Sequence, residues 1–86
     1  MTDAALTRRI LDEFRKVAPE ADTDALRPDQ PIRETLDVDS FDFLTVLVGL
    51  SRSLGVEVPE ADYGQLTTLD GMVGYFRARV SGKPQV

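Results

Sequence analysis

The sequence predicts an all-α domain, and three observations carry that prediction. Apolar residues recur at helical spacing in three separate runs. Two of those runs close on residues that stop helices, Pro19 and Gly55. The one stretch that alternates like a strand, Val56-Glu57-Val58, is brief and ends at Pro59, so it reads as an extended connection.

Eighty-six residues suffice for one modest core and leave no room for a deep enzyme cleft on a separate scaffold. Residues 1–80 are expected to form a single domain, and residues 81–86 a flexible C-terminal tail. No internal repeat divides the chain.

The first helix is expected over Ala4 to Ala18. Leu6, Ile10, Phe14 and Val17 share one face, while Arg8, Arg9, Arg15 and Lys16 fall mostly on the exposed side. Residues 19–39 read as a long loop with Pro28 and Pro31, anchored by Ile32 and Leu36, with room for a short helical turn there. The second long helix is expected over Ser40 to Leu54. Phe43, Val46, Leu47, Leu50 and Leu54 point one way, toward the core. Phe41, Leu44 and Val48 form a second stripe. The long loop covers it, or it is a patch for partner proteins.

A short helix fits Glu60 to Gln65. The last helix is expected over Leu69 to Arg79, with Leu69, Met72, Val73, Phe76 and Val80 buried. Thr67 with Asp70 resembles a capping box there, or Thr68 caps directly. Gly71 and Gly74 weaken that helix by about 1 kcal/mol each relative to alanine, and offer close packing in return. Phe14, Phe43, Leu47, Leu50, Leu54, Val73 and Phe76 are expected to share one core.

The net charge of −5 is unevenly placed. Residues 19–42 hold eight acids and two bases, while residues 43–86 hold four of each. Acid this concentrated argues against nucleic acid, whose phosphates it would repel. It suits docking to basic protein surfaces, and equally a solvated acidic loop.

The chain has neither histidine nor cysteine. The usual general base, the usual thiol and the commonest soft metal ligands are therefore missing, and no disulfide can form. An enzyme reading lacks a base, a nucleophile pair or a metal set. Any reactive group would have to be added. No apolar run is long enough to span a bilayer, and no apolar signal segment stands at the start. A cytoplasmic protein without membrane insertion is expected.

Leu36-Asp37-Val38-Asp39-Ser40-Phe41-Asp42-Phe43-Leu44 is the most informative stretch. Ser40 sits where acidic loop gives way to apolar helix, and a serine there is ordinarily a helix cap. The stretch also resembles the attachment motif of acyl carrier proteins and their peptidyl-carrier relatives. The likeness extends from about Thr7 to Arg79. It includes Gly55-Val56-Glu57-Val58-Pro59, similar to the family's link between its second and third helices, and Leu66-Thr67-Thr68-Leu69, similar to the start of its last helix. Phe41 stands where the family most often has leucine. The resemblance implies a four-helix bundle with a short third helix and a long loop between helices 1 and 2.

The resemblance also implies chemistry. A phosphopantetheinyl transferase would esterify Ser40 with 4′-phosphopantetheine, whose thiol would carry cargo as a thioester. Asp39 would present Ser40 or contact the transferase and its metal, or simply favour the helix start electrostatically. Phe41, Asp42, Leu44 and Val48 would meet acyl-activating, acyl-transferring or condensing enzymes, and the protein would be a monomer. Fatty-acid carriers often have acids along the outer face of the second helix, where this chain has Thr45, Ser51 and Arg52. A specialised fatty-acid, polyketide or lipid pathway therefore fits better than housekeeping synthesis, with an aminoacyl or peptidyl carrier as the alternative.

Two other readings compete with this one. Asp37 to Asp42 begins like a calcium loop, but Phe41, Asp42 and Val48 stand where a ligand, a glycine and a glutamate are needed. A cofactor-free helical adaptor would use the Phe41, Leu44 and Val48 patch and leave the serine motif as coincidence.

Overall fold

The computed structural model describes residues 2–82. Helix α1 spans Asp3–Val17 and begins one residue earlier than expected, because Thr2 caps it: its side chain accepts from the Ala5 N–H at 3.1 Å. Ala18 closes it ahead of Pro19. Leu6, Ile10 and Phe14 are buried, and the basic residues lie outside. Lys16 pairs with Glu13 and Arg15 with Asp12, one turn apart along the helix.

The loop after α1 carries structure of its own. A 3₁₀ turn at Thr23–Ala25 buries Thr23, whose hydroxyl accepts from Arg15 Nε. A short helix, α2, spans Ile32–Leu36. Both expected anchors hold: Ile32 and Leu36 are buried. The loop is also tied across the molecule. The Ile32 N–H donates to the Thr67 carbonyl and the Asp70 N–H to the Pro28 carbonyl, each at 2.9 Å.

Helix α3 spans Ser40–Leu54, as expected. Gly55 ends it with φ 67°, a left-handed conformation that costs glycine little. The Val56 N–H returns to the Ser51 carbonyl, and the Ser51 hydroxyl donates to the Val56 carbonyl at 2.6 Å. Packing of α3 on α1 brings the Phe14 and Phe43 rings to 6.1 Å. Gly49 makes room for Glu13, since a Cβ there would collide with the Glu13 carboxylate.

The short member of the bundle, Glu60–Leu66, is wound as a 3₁₀ helix. Helix α4 follows over Leu69–Gly82. Of the two expected caps, Thr68 is the one used: its Oγ1 accepts from the Gly71 N–H at 3.0 Å. The helix continues past Arg79 through Gly82, and residues 83–86 of the expected tail lie outside the described residues. Gly71 faces the Gln65 carbonyl so closely that a Cβ would overlap it, whereas a Cβ at Gly74 would meet only the Arg77 side chain, at an ordinary 4.0 Å.

One core joins these elements, with Phe14, Phe43, Leu47, Leu50 and Phe76 buried together. Leu54 and Val73 are only partly buried. Leu54 is the last residue of α3, at the rim. The buried face of α4 is turned toward Tyr75, which moves Val73 and Val80 to its edge. Tyr75 is absent from the expected core, and its hydroxyl needs a partner when buried. That partner is Asp62, which accepts from it at 2.7 Å. Arg79 stacks 3.4 Å from the Tyr75 ring centre and reaches the same carboxylate. Burial, and then the hydrogen bond to Asp62, push the Tyr75 phenol above its ordinary value of 10.0.

Candidate functional site

The head of α3 is braced from behind. Leu36 and Val38 are buried, so the chain is pinned on both sides of Asp37. Asp37 makes the reversal with φ 55° and ψ 49°, a left-handed conformation that aspartate tolerates better than most residues. The Arg33 carbonyl accepts N–H groups from Asp37 and Val38 and closes α2.

The residue that caps α3 is Asp39, not Ser40. Asp39 is extended, with φ −79° and ψ 176°, and its Oδ1 accepts from the Asp42 N–H at 2.8 Å. Ser40 is thus the first helical residue. This corrects the expectation of a serine cap. Both residue types cap well, and only one can occupy the cap position. Aspartate wins here because its carboxylate reaches the Asp42 N–H. Ser40 is exposed, and its hydroxyl makes no hydrogen bond among the described residues. Thr45 and Ser51, on the same helix, spend their hydroxyls on the carbonyls of Phe41 and Val56.

The second stripe of α3 is open. Phe41 is 81% exposed, Val48 50% and Leu44 39%, so the loop does not cover it. Asp42 is half-buried between that stripe and the loop. The structure therefore brings Asp39, Ser40, Phe41, Asp42, Leu44 and Val48 onto one end and flank of α3.

Beside Ser40 lies a cleft of about 920 Å³ between α2, the first turns of α3 and the 3₁₀ segment. Val38, Phe43, Leu44 and Tyr63 give it an apolar wall. Arg33 is its one basic lining residue among those described. Neither Arg33 nor Tyr63 was singled out from the sequence. A base within the acidic approach to Ser40, where residues 19–42 hold only Arg27 and Arg33, was the available signal. Nothing in the spacing marked Tyr63, since the 3₁₀ segment has no long amphipathic repeat.

An uncommitted hydroxyl at a helix head, beside a cleft on an all-helical scaffold, is the arrangement of a domain that receives a prosthetic arm. Comparison with known proteins agrees. The family described as a phosphopantetheine attachment site matches residues 8–76. The acyl carrier protein of Campylobacter lari is 30% identical over 69 residues, covering 77% of this chain and 90% of that protein. That of Campylobacter hominis is 31% identical over 68 residues, covering 79% and 81%. That of Lactobacillus johnsonii is 32% identical over 57 residues, covering 66% and 71%. The chain belongs to the phosphopantetheine-attachment family of acyl-carrier-like proteins.

Its cofactor is phosphopantetheine, and its role is to carry, not to catalyse. A phosphopantetheinyl transferase and acyl-processing enzymes are the partners that membership implies. Among the described residues, no helix is long and apolar enough to cross a membrane. The exposed, unbonded Ser40 hydroxyl and the adjoining cleft fit the arm sterically and chemically. When bound, the arm supplies a thiol that the chain lacks.

Proposed function

We propose that Ser40 is the sole attachment point, and that the chain carries acyl or related intermediates as thioesters for a specialised fatty-acid, polyketide or lipid pathway. The observation that carries this reading is the cap at Asp39, which leaves the exposed Ser40 hydroxyl without a hydrogen-bond partner among the described residues. In the transfer, the Ser40 oxygen bonds to the phosphorus of coenzyme A and the pyrophosphate linkage breaks. Adenosine 3′,5′-bisphosphate leaves, and the serine proton passes to a base supplied by the transferase.

Asp39 orients Ser40 by fixing the first turn of α3. Phe41, Asp42, Leu44 and Val48 form the docking surface. Apolar burial of the exposed stripe sets complex lifetime. The acidic approach speeds encounter with basic partners. The protein works as a cytoplasmic monomer. The names of the relatives favour an acyl cargo over an aminoacyl one.

The test is incubation with coenzyme A, magnesium and a broad-specificity phosphopantetheinyl transferase, followed by intact mass. Wild type should gain one phosphopantetheine, and Ser40→Ala none. Wild type left unmodified under conditions that load a known carrier would favour the adaptor reading instead.

A further inference from the structure

Arg33 is an arginine without a carboxylate. Arg15, Arg77 and Arg79 pair with acids, whereas Arg8, Arg9, Arg27 and Arg52 share with Arg33 the lack of an ion pair among the described residues; of these five only Arg33 lines the cleft beside Ser40. Arg33 has Glu34 beside it in sequence and Asp37 at the end of its own helix, yet no described acid lies within 4.0 Å of its guanidinium. Its one side-chain bond is a long one, from Nε to the Val38 carbonyl at 3.5 Å. That bond ties the rear of the guanidinium to the segment that leads into Ser40. Both terminal amines remain without an acceptor among the described residues. The same side chain lines the cleft that Ser40 lines.

Attachment of an arm at Ser40 would place a phosphodiester anion among Glu34, Asp37, Asp39 and Asp42. Each of these acids would repel it. The planar guanidinium presents paired N–H groups that match phosphate oxygens, and such charge-assisted bonds are the stronger kind. We propose that Arg33 is the counter-ion of the phosphodiester formed at Ser40, and that it holds the root of the arm against the cleft. This rests on the assignment of Ser40 as the attachment point. Arg33 is a positioning residue: it acts on the arm and takes no part in thioester chemistry.

The experiment uses isotope-labelled full chain as wild type, Arg33→Lys, Arg33→Gln and the control Arg27→Gln, a base outside the cleft. Each is loaded with unacylated phosphopantetheine, and intact mass confirms one arm. The Arg33 Nε–H resonance of wild type should shift on loading. The shift should shrink at about 1 M salt, where the screening length is about 3 Å. The phosphorus resonance of Arg33→Gln should differ from that of wild type, Arg33→Lys should fall between them, and Arg27→Gln should match wild type.

If mass shows one arm on Ser40 but neither resonance responds to loading or to substitution at Arg33, the counter-ion role is overturned while the attachment site stands. No gain of mass, or a gain that survives Ser40→Ala, removes the attachment site and this role with it.

Discussion

Ser40→Ala and Asp39→Ala separate two jobs that the sequence placed on neighbouring residues. In the structure the Ser40 side chain is exposed and makes no hydrogen bond among the described residues, so truncation removes no described hydrogen bond. Alanine is a better helix former than serine by a few tenths of a kcal/mol, about 0.5 at most. Ser40→Ala should therefore be neutral or slightly stabilising. Asp39→Ala removes the 2.8 Å bond to the Asp42 N–H. A lost cap of this kind costs about 1 kcal/mol, within a range of roughly 0.5–2. It also removes a negative charge from the helix N-terminus, worth about 0.3–1 kcal/mol at low salt and partly counted in the cap value. In a domain this size, about 1 kcal/mol lowers the melting temperature by roughly 4–8 °C. Urea unfolding followed by circular dichroism gives both values, and intact mass after transferase treatment gives the loading. The expected pattern is a stable, unloadable Ser40→Ala and a weakened Asp39→Ala. A Ser40→Ala variant that loses about 1 kcal/mol or more, alongside an unaffected Asp39→Ala, would show that serine is the cap after all.

Four further outcomes are expected. Leu44→Ala should slow cargo transfer by a cognate enzyme while unfolding within about 1 kcal/mol of wild type, because Leu44 is partly exposed; a loss of several kcal/mol with transfer intact would make the stripe core. Leu50→Ala, at 0% exposure, should cost about 2–5 kcal/mol in urea unfolding, and a smaller loss would contradict its central place. Gly74→Ala should stabilise α4 by up to about 1 kcal/mol, whereas Gly71→Ala should destabilise, since its methyl group would overlap the Gln65 carbonyl; equal effects at both sites would refute the packing. Because the folded Tyr75 phenol holds its proton above the ordinary value of 10.0, the native state binds that proton more tightly than the unfolded chain. Its stabilising contribution is complete below that value and is lost as pH rises through the folded one, so urea midpoints measured on either side should fall in wild type and fall less in Tyr75→Phe.

The two long helices were legible because each has a strong repeat. The 3.6-residue period placed Leu6, Ile10 and Phe14 on one side of α1, and Phe43, Leu47 and Leu50 on one side of α3. The existence of a second stripe at Phe41, Leu44 and Val48 followed from the same arithmetic, while its exposure was settled only by the path of the loop. What escaped depends on contacts between segments. Asp39 and Ser40 are both good caps, and a single-residue offset decides which takes the role. Tyr75 reads as amphipathic until Asp62 is seen beneath its hydroxyl. Arg33 reads as loop charge until the fold places it in the cleft with Ser40 and with no described acid within ion-pair distance of its guanidinium.

The two backbone bonds that tie the loop to the start of α4 link segments far apart in the chain. Helices α1 and α3 are each wound by backbone bonds within their own segment. The approach to Ser40 is not, since Ile32 is held by Thr67, and Pro28 by Asp70. The cleft wall at α2 is therefore held jointly by two segments far apart in the sequence. The Ile32 and Asp70 amides should exchange with solvent together, in one cooperative opening distinct from fraying of either helix. The head of α3 could then lose its backing while α3 itself stays wound, so the accuracy with which Ser40 is presented is set at the far end of the sequence.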